Sequence, residues 1–540
     1  MRVEVDVGEA GGAPWVSDVA TLAAPPRARR IDRFDLTVLA VFAAVSVWIL
    51  ALDLWQVIAH GRVWTGTDGV YLVDQMQYLA WIQDASHHLL SANLFVLHPT
   101  PADYLQPAVL ISGALTALGL APALALLLWK PVAVLCAFFA VRAYCRRSLV
   151  GVWPRRAALV LALFFGSFSV VYGDFSVVGD LFPTFLSWGY TFGLLAVGML
   201  VLAILAYARA RGTGRRLWVP GALGVVAGLL HPWQGELFVL IVLGAELVMW
   251  RGSGRRPRRL ALPLGTMLAT GLPLAYYLVL GKTDPSWELA REASKHTFSL
   301  WTLLLAAGPL AVPAVFAYRG RSGSFLTAAT RAWPLAALAV WLLSATQVSA
   351  TPLHAFDGIT IPLAVLAVKG TQQLRLHRLP RARLLAGLAV AAATVPATVY
   401  LLNNARQLVA PASGNANFVY ADEHHALRYL AQNRTAGGVL TRFYLGTIVP
   451  AQTGRRTYVG HCMWSEPDCI PRAQNAEALF DGVFAPAAAR SFVQGTGARF
   501  VLADCYANPV IAEEIRAITT SAHRFGCATV YELDPPAAGR

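Results

Sequence analysis

The sequence predicts a mostly α fold: a polytopic membrane bundle of about 11 transmembrane helices, followed by a small C-terminal α/β domain. Three observations carry this reading. Of 540 residues, 56% are hydrophobic and only 14% charged, against about 25% charged in soluble domains. Apolar stretches of spanning length recur between short polar loops. The arginines behind the net charge of +14 gather in short runs in alternate loops, which is the positive-inside pattern. The same distribution excludes nucleic acid as a partner, because no soluble basic domain is left to bind it.

Residues 1–33 are polar, rich in Gly, Pro and Ala, and end in Arg27, Arg29, Arg30 and Arg33. The apolar stretch after them, 34–58, is too long for the h-region of a signal peptide and long enough to span a bilayer. A disordered cytoplasmic tail and a signal-anchor helix over about 35–58 are therefore expected, then a long polar loop over 59–105. The apolar stretch 107–120 is short and reads as an interfacial or re-entrant piece. Further spans are expected over 122–144, 156–172, 185–208, 217–231, 235–250, 260–280, 298–317, 332–346, 359–369 and 384–402. Every loop then placed inside carries three or more basic residues. The loops after the third, fifth and ninth spans carry none, and the first outer loop carries only Arg62. This orientation makes 34–402 the membrane module and puts both the first loop and 403–540 on the outer face.

Beyond 403 the pattern changes. Helices are expected over 427–431 and 472–480, and strands over 439–443, 456–459, 500–503 and 528–533; such alternation marks an α/β domain. Four of the six cysteines lie there. Outside the membrane disulfides are permitted, and Cys462 with Cys469 and Cys505 with Cys527 are the local pairings, although spacing alone does not fix connectivity. His461 beside Cys462 raises zinc as an alternative, against which stands the missing CxxC spacing. Cys136 and Cys145 sit in or at the end of the second span and read as packing residues.

The most informative run is VDQMQYLAW, residues 73–81, in the first loop. Asp74, Tyr78 and Trp81 fall at i, i+4 and i+7 and share one helix face. A carboxylate and two aromatics at the water–lipid boundary suit a site that handles a polar group carried on a lipid. The other outer loops supply Asp174 and Asp180, then His231, Gln234 and Glu236 in HPWQGE, then Lys282, Asp284, Arg291, Lys295 and His296, and finally His354 and Asp357.

The order of these parts resembles the GT-C superfamily of integral membrane glycosyltransferases, such as protein O-mannosyltransferases and actinobacterial cell-envelope mannosyl- and arabinosyltransferases. Their first loop commonly reads D-E-x-x-Y; here it reads Asp74-Gln75-Met76-Gln77-Tyr78. His98-Pro99 with Tyr104 and Pro107 is similar to the family's H-P-P-L-x-Y stretch. The segment TGRRTYVGH, 453–461, resembles part of the outer domain of bacterial members.

The resemblance implies a sugar donor on polyprenyl phosphate, an envelope glycan or protein acceptor, and a bilayer around both. Asp74 would be the general base that takes the acceptor's proton. The phosphate leaving group needs cations or donors, and Arg62, His98, His231, Lys282, Arg291, Lys295 and His296 are the candidates. Gln75, Tyr78, Trp81, Asp174 and Glu236 complete the expected substrate-binding set. Gln75 in place of the second acid disfavours a metal there, so no cofactor is expected, with a divalent cation left open.

Simpler roles stand beside these. Asp74 also fits a helix N-cap, Asp68 in GTDG a turn and Asp84 a solvated position. Tyr78 and Trp81 also fit an interfacial aromatic belt. A transporter of lipid-linked saccharides and a non-catalytic scaffold are the competing functions. No internal repeat is evident, and the polar residues concentrate in loops rather than mid-span, which favours the enzyme. The Ala- and Arg-rich composition suggests a high-GC bacterium and hence its plasma membrane.

Overall fold

The computed structural model describes residues 31–68, 71–166, 181–250, 260–293, 300–320, 322–344, 352–374, 380–409 and 416–534. The chain is a multi-pass, mostly helical membrane protein with a small α/β part at its C-terminal end. Helix α1 (Arg33–His60) is capped by the Asp32 side chain, which accepts from the Asp35 amide, and closes on Gly61 in the left-handed region. Strand β1 (Val63–Trp64) and helix α2 (Leu72–His88) follow, then β2 (Ser91–Ala92), β3 (Ala102–Tyr104) and α3 (Pro107–Ala117). The expected second span divides into α4 (Pro122–Leu127) and α5 (Trp129–Ser148). The bundle continues with α6 (Val152–Phe164), α7 (Pro183–Leu186), α8 (Thr191–Thr213), α9 (Val219–Leu230), α10 (Pro232–Trp250), α11 (Ala261–Thr283) and α12 (Pro285–Ala293). It closes with α13 (Leu300–Phe316), α14 (Phe325–Ser344), α15 (Thr360–Gln373) and α16 (Ala382–Leu408).

Among the described residues, seven helical segments are long and apolar enough to cross a membrane. The other four expected spans lie on α6, α9, α13 and α15, of 13, 12, 17 and 14 residues. The periphery is apolar: Leu384, Leu388, Val395 and Val399 of α16 are exposed, as a lipid-facing helix requires.

One end of the bundle is bound by arginine. Asp35 at the start of α1 accepts from Arg142 Nε on α5 at 2.7 Å, and Asp32 from Arg156 on α6 at 3.2 Å. Helix α2 therefore lies at the opposite end of α1, about 42 Å away for 28 residues at the usual rise.

After 409 come β4 (Phe418–Val419), α17 (Ala421–Gln432), β5 (Val439–Leu440), α18 (Phe443–Thr453), α19 (Cys469–Phe480), α20 (Pro486–Thr496), β6 (Phe500–Ala503), α21 (Ile511–Glu514), β7 (Thr519–Phe525) and β8 (Ala528–Leu533). The sheet order is β5-β6-β8-β7, with β5 and β6 parallel and the other pairs antiparallel. Leu440, Phe480, Val493, Val501 and Ile515 form its core. The expected strand over 439–443 stops at Leu440 because 443–453 folds as α18, and 456–459 gives only a bridge from Thr457 to Val439. Buried Arg442 anchors this region, donating to Asp481 at 2.6 Å and lying 3.0 Å from Asp504. Both disulfides follow the local pairings, Cys462–Cys469 and Cys505–Cys527.

This C-terminal part grips the first loop. β1 pairs antiparallel with β4, Val63 opposite Val419. The Thr457 amide donates to Leu94, Asn93 Nδ2 to Trp464 and Gln452 Nε2 to Thr65. Helix α2 is held between α3 and α18. On one side Gly113 lets α3 approach so closely that a Cβ there would lie 2.7 Å from that of Ala85. Within the C-terminal part, a Cβ at Gly446 of α18 would lie 1.9 Å from the Val459 carbonyl oxygen, so this glycine admits the segment around Val459. Backbone cannot yield as a side chain can. Gly446→Ala is expected to cost about 1–3 kcal/mol and to displace the loop after 457; thermal unfolding of the purified chain measures the loss.

Candidate active site

Asp74 is the third residue of α2, in its first turn rather than at its N-cap, which is Tyr71 with a φ of 54°. Its carboxylate thus lies at the positive end of the helix dipole and is 39% exposed. Across from it stands His461, 4% exposed, with Nε2 3.6 Å from the Asp74 carboxylate. The Met463 amide donates to His461 Nδ1 at 3.2 Å. Nδ1 is therefore the acceptor nitrogen, and the proton of a neutral ring sits on Nε2, facing Asp74. At 3.6 Å the pair is longer than a direct hydrogen bond, and buried Nε2 has no hydrogen-bond partner among the described residues.

The loop that presents His461 is fixed at several points. Ser465 Oγ accepts from the Gly460 and His461 amides and donates to the Phe95 carbonyl. Trp464 Nε1 donates to Gln77 Oε1 at 2.5 Å. The Cys462–Cys469 disulfide closes the next turn. The C-terminal part thus supplies a side chain to a site begun by the first loop. The sequence reading weighed His461 only as a zinc ligand; its place in TGRRTYVGH was the available signal.

Gln75 points elsewhere. It is buried, and its Oε1 accepts from the Asp68 amide at 3.0 Å. Asp68 corrects the turn reading: it is 2% exposed and paired with Lys130 of α5, which also donates to the Ser187 carbonyl at 2.5 Å. An acid at position 75 would sit against Asp68, which gives the amide a physical reason. Lys130 was missed, although a lysine in the apolar run LLLWKPVAV is the kind of charge that marks a buried partner. Asp84 also departs from expectation. Rather than being solvated it is buried, accepting from the Ala92 amide at 2.8 Å and contacting His88 Nδ1 at 2.8 Å.

Tyr78 and Trp81 do not form a lipid-facing belt. The Tyr78 ring meets Phe192 edge-on at 4.8 Å, and burial, reinforced by the Asp74 charge, pushes its hydroxyl upward in pKa. Trp81 is 3% exposed. It packs on Tyr104 at 4.1 Å, Trp464 at 5.3 Å and Trp287 of α12 at 6.2 Å. The result is an aromatic wall behind Asp74, drawn from the first loop, α12 and the C-terminal part. Tertiary packing won over the interface because each ring finds partners from distant segments.

Asp103 at the foot of this wall faces Asp284, the residue before α12. Burial first, and then the Asp284 charge, raise its carboxyl from 3.8 to about 6. A carboxyl whose folded pKa is raised binds more protons folded than unfolded, so stability falls as pH rises from about 4 through about 6. Asp103→Asn should flatten that slope in thermal melts taken across this window; an unchanged slope contradicts the pairing.

The remaining expected residues are scattered. His98 is exposed, with its carbonyl held by Arg456. Arg62 stacks 3.4 Å over the Tyr420 ring, away from Asp74's partners. Lys282 is exposed at the end of α11, and Arg291 lies half-buried on α12, one turn beyond Trp287 of the wall. Glu236 is half-buried on α10. His231 joins a separate cluster with Tyr190, His354 and Asp357. Asp174, Lys295 and His296 lie outside the described residues.

No protein-family model and no curated protein sequence matches the chain. Solved structures do. The oligosaccharyltransferase of Archaeoglobus fulgidus aligns over 94% of this chain and 76% of its own, with a TM-score of 0.52 at 13% identity. The arabinofuranosyltransferase AftD from Mycobacteria aligns over 93% of this chain and 41% of its own, with a TM-score of 0.52 at 14% identity. ArnT from Cupriavidus metallidurans, a structure bound to undecaprenyl phosphate, aligns at 14% identity over 93% of this chain and 99% of its own. Its TM-score is 0.49, and no argument rests on it. The chain thus shares the fold of the oligosaccharyltransferase and of the arabinofuranosyltransferase, as the order of its parts led us to expect.

Proposed function

We propose that this chain is a glycosyltransferase that moves a sugar from a polyprenyl-phosphate donor to an envelope glycan or protein on the outer face of a bacterial plasma membrane. The observation that carries the reading is Asp74: a half-exposed carboxylate at a helix N-terminus, opposite a buried histidine, in a fold shared with transferases named for moving an oligosaccharide and an arabinofuranose. The arginine-bound end of the bundle lies opposite this site, which supports a site on the outer face.

The chemistry follows from the geometry. Asp74 takes the proton of an acceptor hydroxyl, whose oxygen attacks the anomeric carbon. The bond from that carbon to the phosphate oxygen breaks, polyprenyl phosphate leaves with the electron pair, and the sugar inverts. His461, whose Nε2–H faces the Asp74 carboxylate across 3.6 Å, is a positioning residue that draws the carboxylate toward it by charge–dipole attraction rather than by a direct hydrogen bond. Arg291 and Lys282, with Lys295 and His296 from the same loop, are the cations for the leaving phosphate. The aromatic wall keeps water from the donor. A metal at Asp74 is disfavoured, since its neighbour Gln75 is neutral and engaged by Asp68.

A panel of labelled polyprenyl-phosphate sugars, offered to the purified chain in vesicles, tests the reading. One donor should lose its label to acceptor and leave free polyprenyl phosphate. Intact donors crossing the bilayer with none cleaved would identify a transporter instead.

A further inference from the structure

A second polar cluster lies one aromatic step from the site. His231 occupies the break between α9 and α10, His354 the short 3-10 turn Pro352–Phe356, and Asp357 the residue after it. Asp357 is fully buried, and among the described residues neither of its carboxylate oxygens has a hydrogen-bond partner. A bare buried carboxylate is costly unless paired or metal-bound. His231 Nδ1 stands 3.7 Å from one of those oxygens and His354 Nδ1 3.7 Å from the other. The three ligand atoms lie within 4.8 Å of one another. Tetrahedral zinc, with bonds of about 2.0–2.1 Å, sets its ligands about 3.4 Å apart, so small rotations would close the set.

The surroundings match what a metal asks of them. His231 Nε2 is 2.7 Å from the Tyr190 hydroxyl. With Tyr190 accepting the Nε2 proton, the Nδ1 lone pair is free for a metal. Gln234 Nε2 donates to the His354 carbonyl at 3.3 Å, while its buried Oε1 has no partner among the described residues. Trp233 flanks both imidazoles at 4.6 Å.

We propose that His231, His354 and Asp357 bind a divalent transition metal, zinc by donor chemistry, with one position left for water or Gln234. The site ties the α9–α10 break to the turn before α15. Through Tyr190, whose ring lies 5.5 Å from Tyr71, it also braces the start of α2. It departs from the expectation that the chain uses no metal, and it does not depend on sugar transfer.

The test uses the full chain, purified in detergent, stripped with a chelator, incubated with zinc alone and desalted. Mass spectrometry should find about one zinc per chain and a raised Tm, and cobalt in its place should give visible d–d absorption. His354→Gln and Asp357→Asn should each bind at least about tenfold more weakly, and Tyr190→Phe about 10–100-fold more weakly. His425→Ala, an exposed histidine on α17, should bind as wild type. A folded wild-type chain that keeps no zinc and shows no cobalt spectrum overturns the proposal, as do ligand variants that bind like wild type. Because the wild-type arm decides alone, a variant that fails to fold does not protect the idea.

Discussion

Lys130→Met is expected to destabilise the chain by about 3–5 kcal/mol, the usual cost of stripping one partner from a buried ion pair. The Lys130 and Asp68 side chains are 6% and 3% exposed. Nearby Asp53 on α1 is fully buried, and neither of its oxygens has a hydrogen-bond partner among the described residues. Removing Lys130 leaves two carboxyl groups in an apolar setting with their cation gone. It also frees the Ser187 carbonyl and loosens the turn that receives Gln75. The double variant Lys130→Met, Asp68→Asn should recover most of the loss, because it removes the stranded charge along with its partner. Denaturant unfolding of the detergent-solubilised chain reads both; equal midpoints for wild type and Lys130→Met would contradict the pairing.

Asp74→Asn is expected to lower kcat for sugar transfer by about 10²–10⁴-fold, the range a general base contributes. Asparagine keeps the shape and cannot take the proton. His461→Gln should cost less, since it disturbs only the orientation of the carboxylate. The two losses should not add: once Asp74 is gone, its positioning partner has nothing to position. A double-mutant cycle on kcat measures this coupling. Full additivity would mean that His461 acts apart from Asp74.

The membrane bundle was legible because its signals are local. Apolar runs and arginine clusters need no knowledge of what touches what, and helix α2 showed itself through the spacing of Asp74, Tyr78 and Trp81. The disulfides were also readable as local pairs. What stayed hidden depends on contacts across the chain. Asp68 looks like a turn residue until Lys130 is placed against it, and Trp81 looks interfacial until Trp287 and Trp464 close over it. His461 becomes a partner of Asp74 only when the C-terminal part docks on the first loop. The helix at 443–453 was missed because FYLGTIVPAQT carries β-branched residues and a proline, and packing against α2 overrides those propensities.

The most direct test of the central claim is a single-turnover measurement on the Asp74→Asn chain preloaded with its polyprenyl-phosphate sugar. Bound donor and transferred sugar are counted in the same sample. The account predicts donor occupancy equal to wild type and a transfer rate lower by about 10²-fold or more. Transfer at the wild-type rate, with donor equally bound, would remove Asp74 from the chemistry and contradict the account.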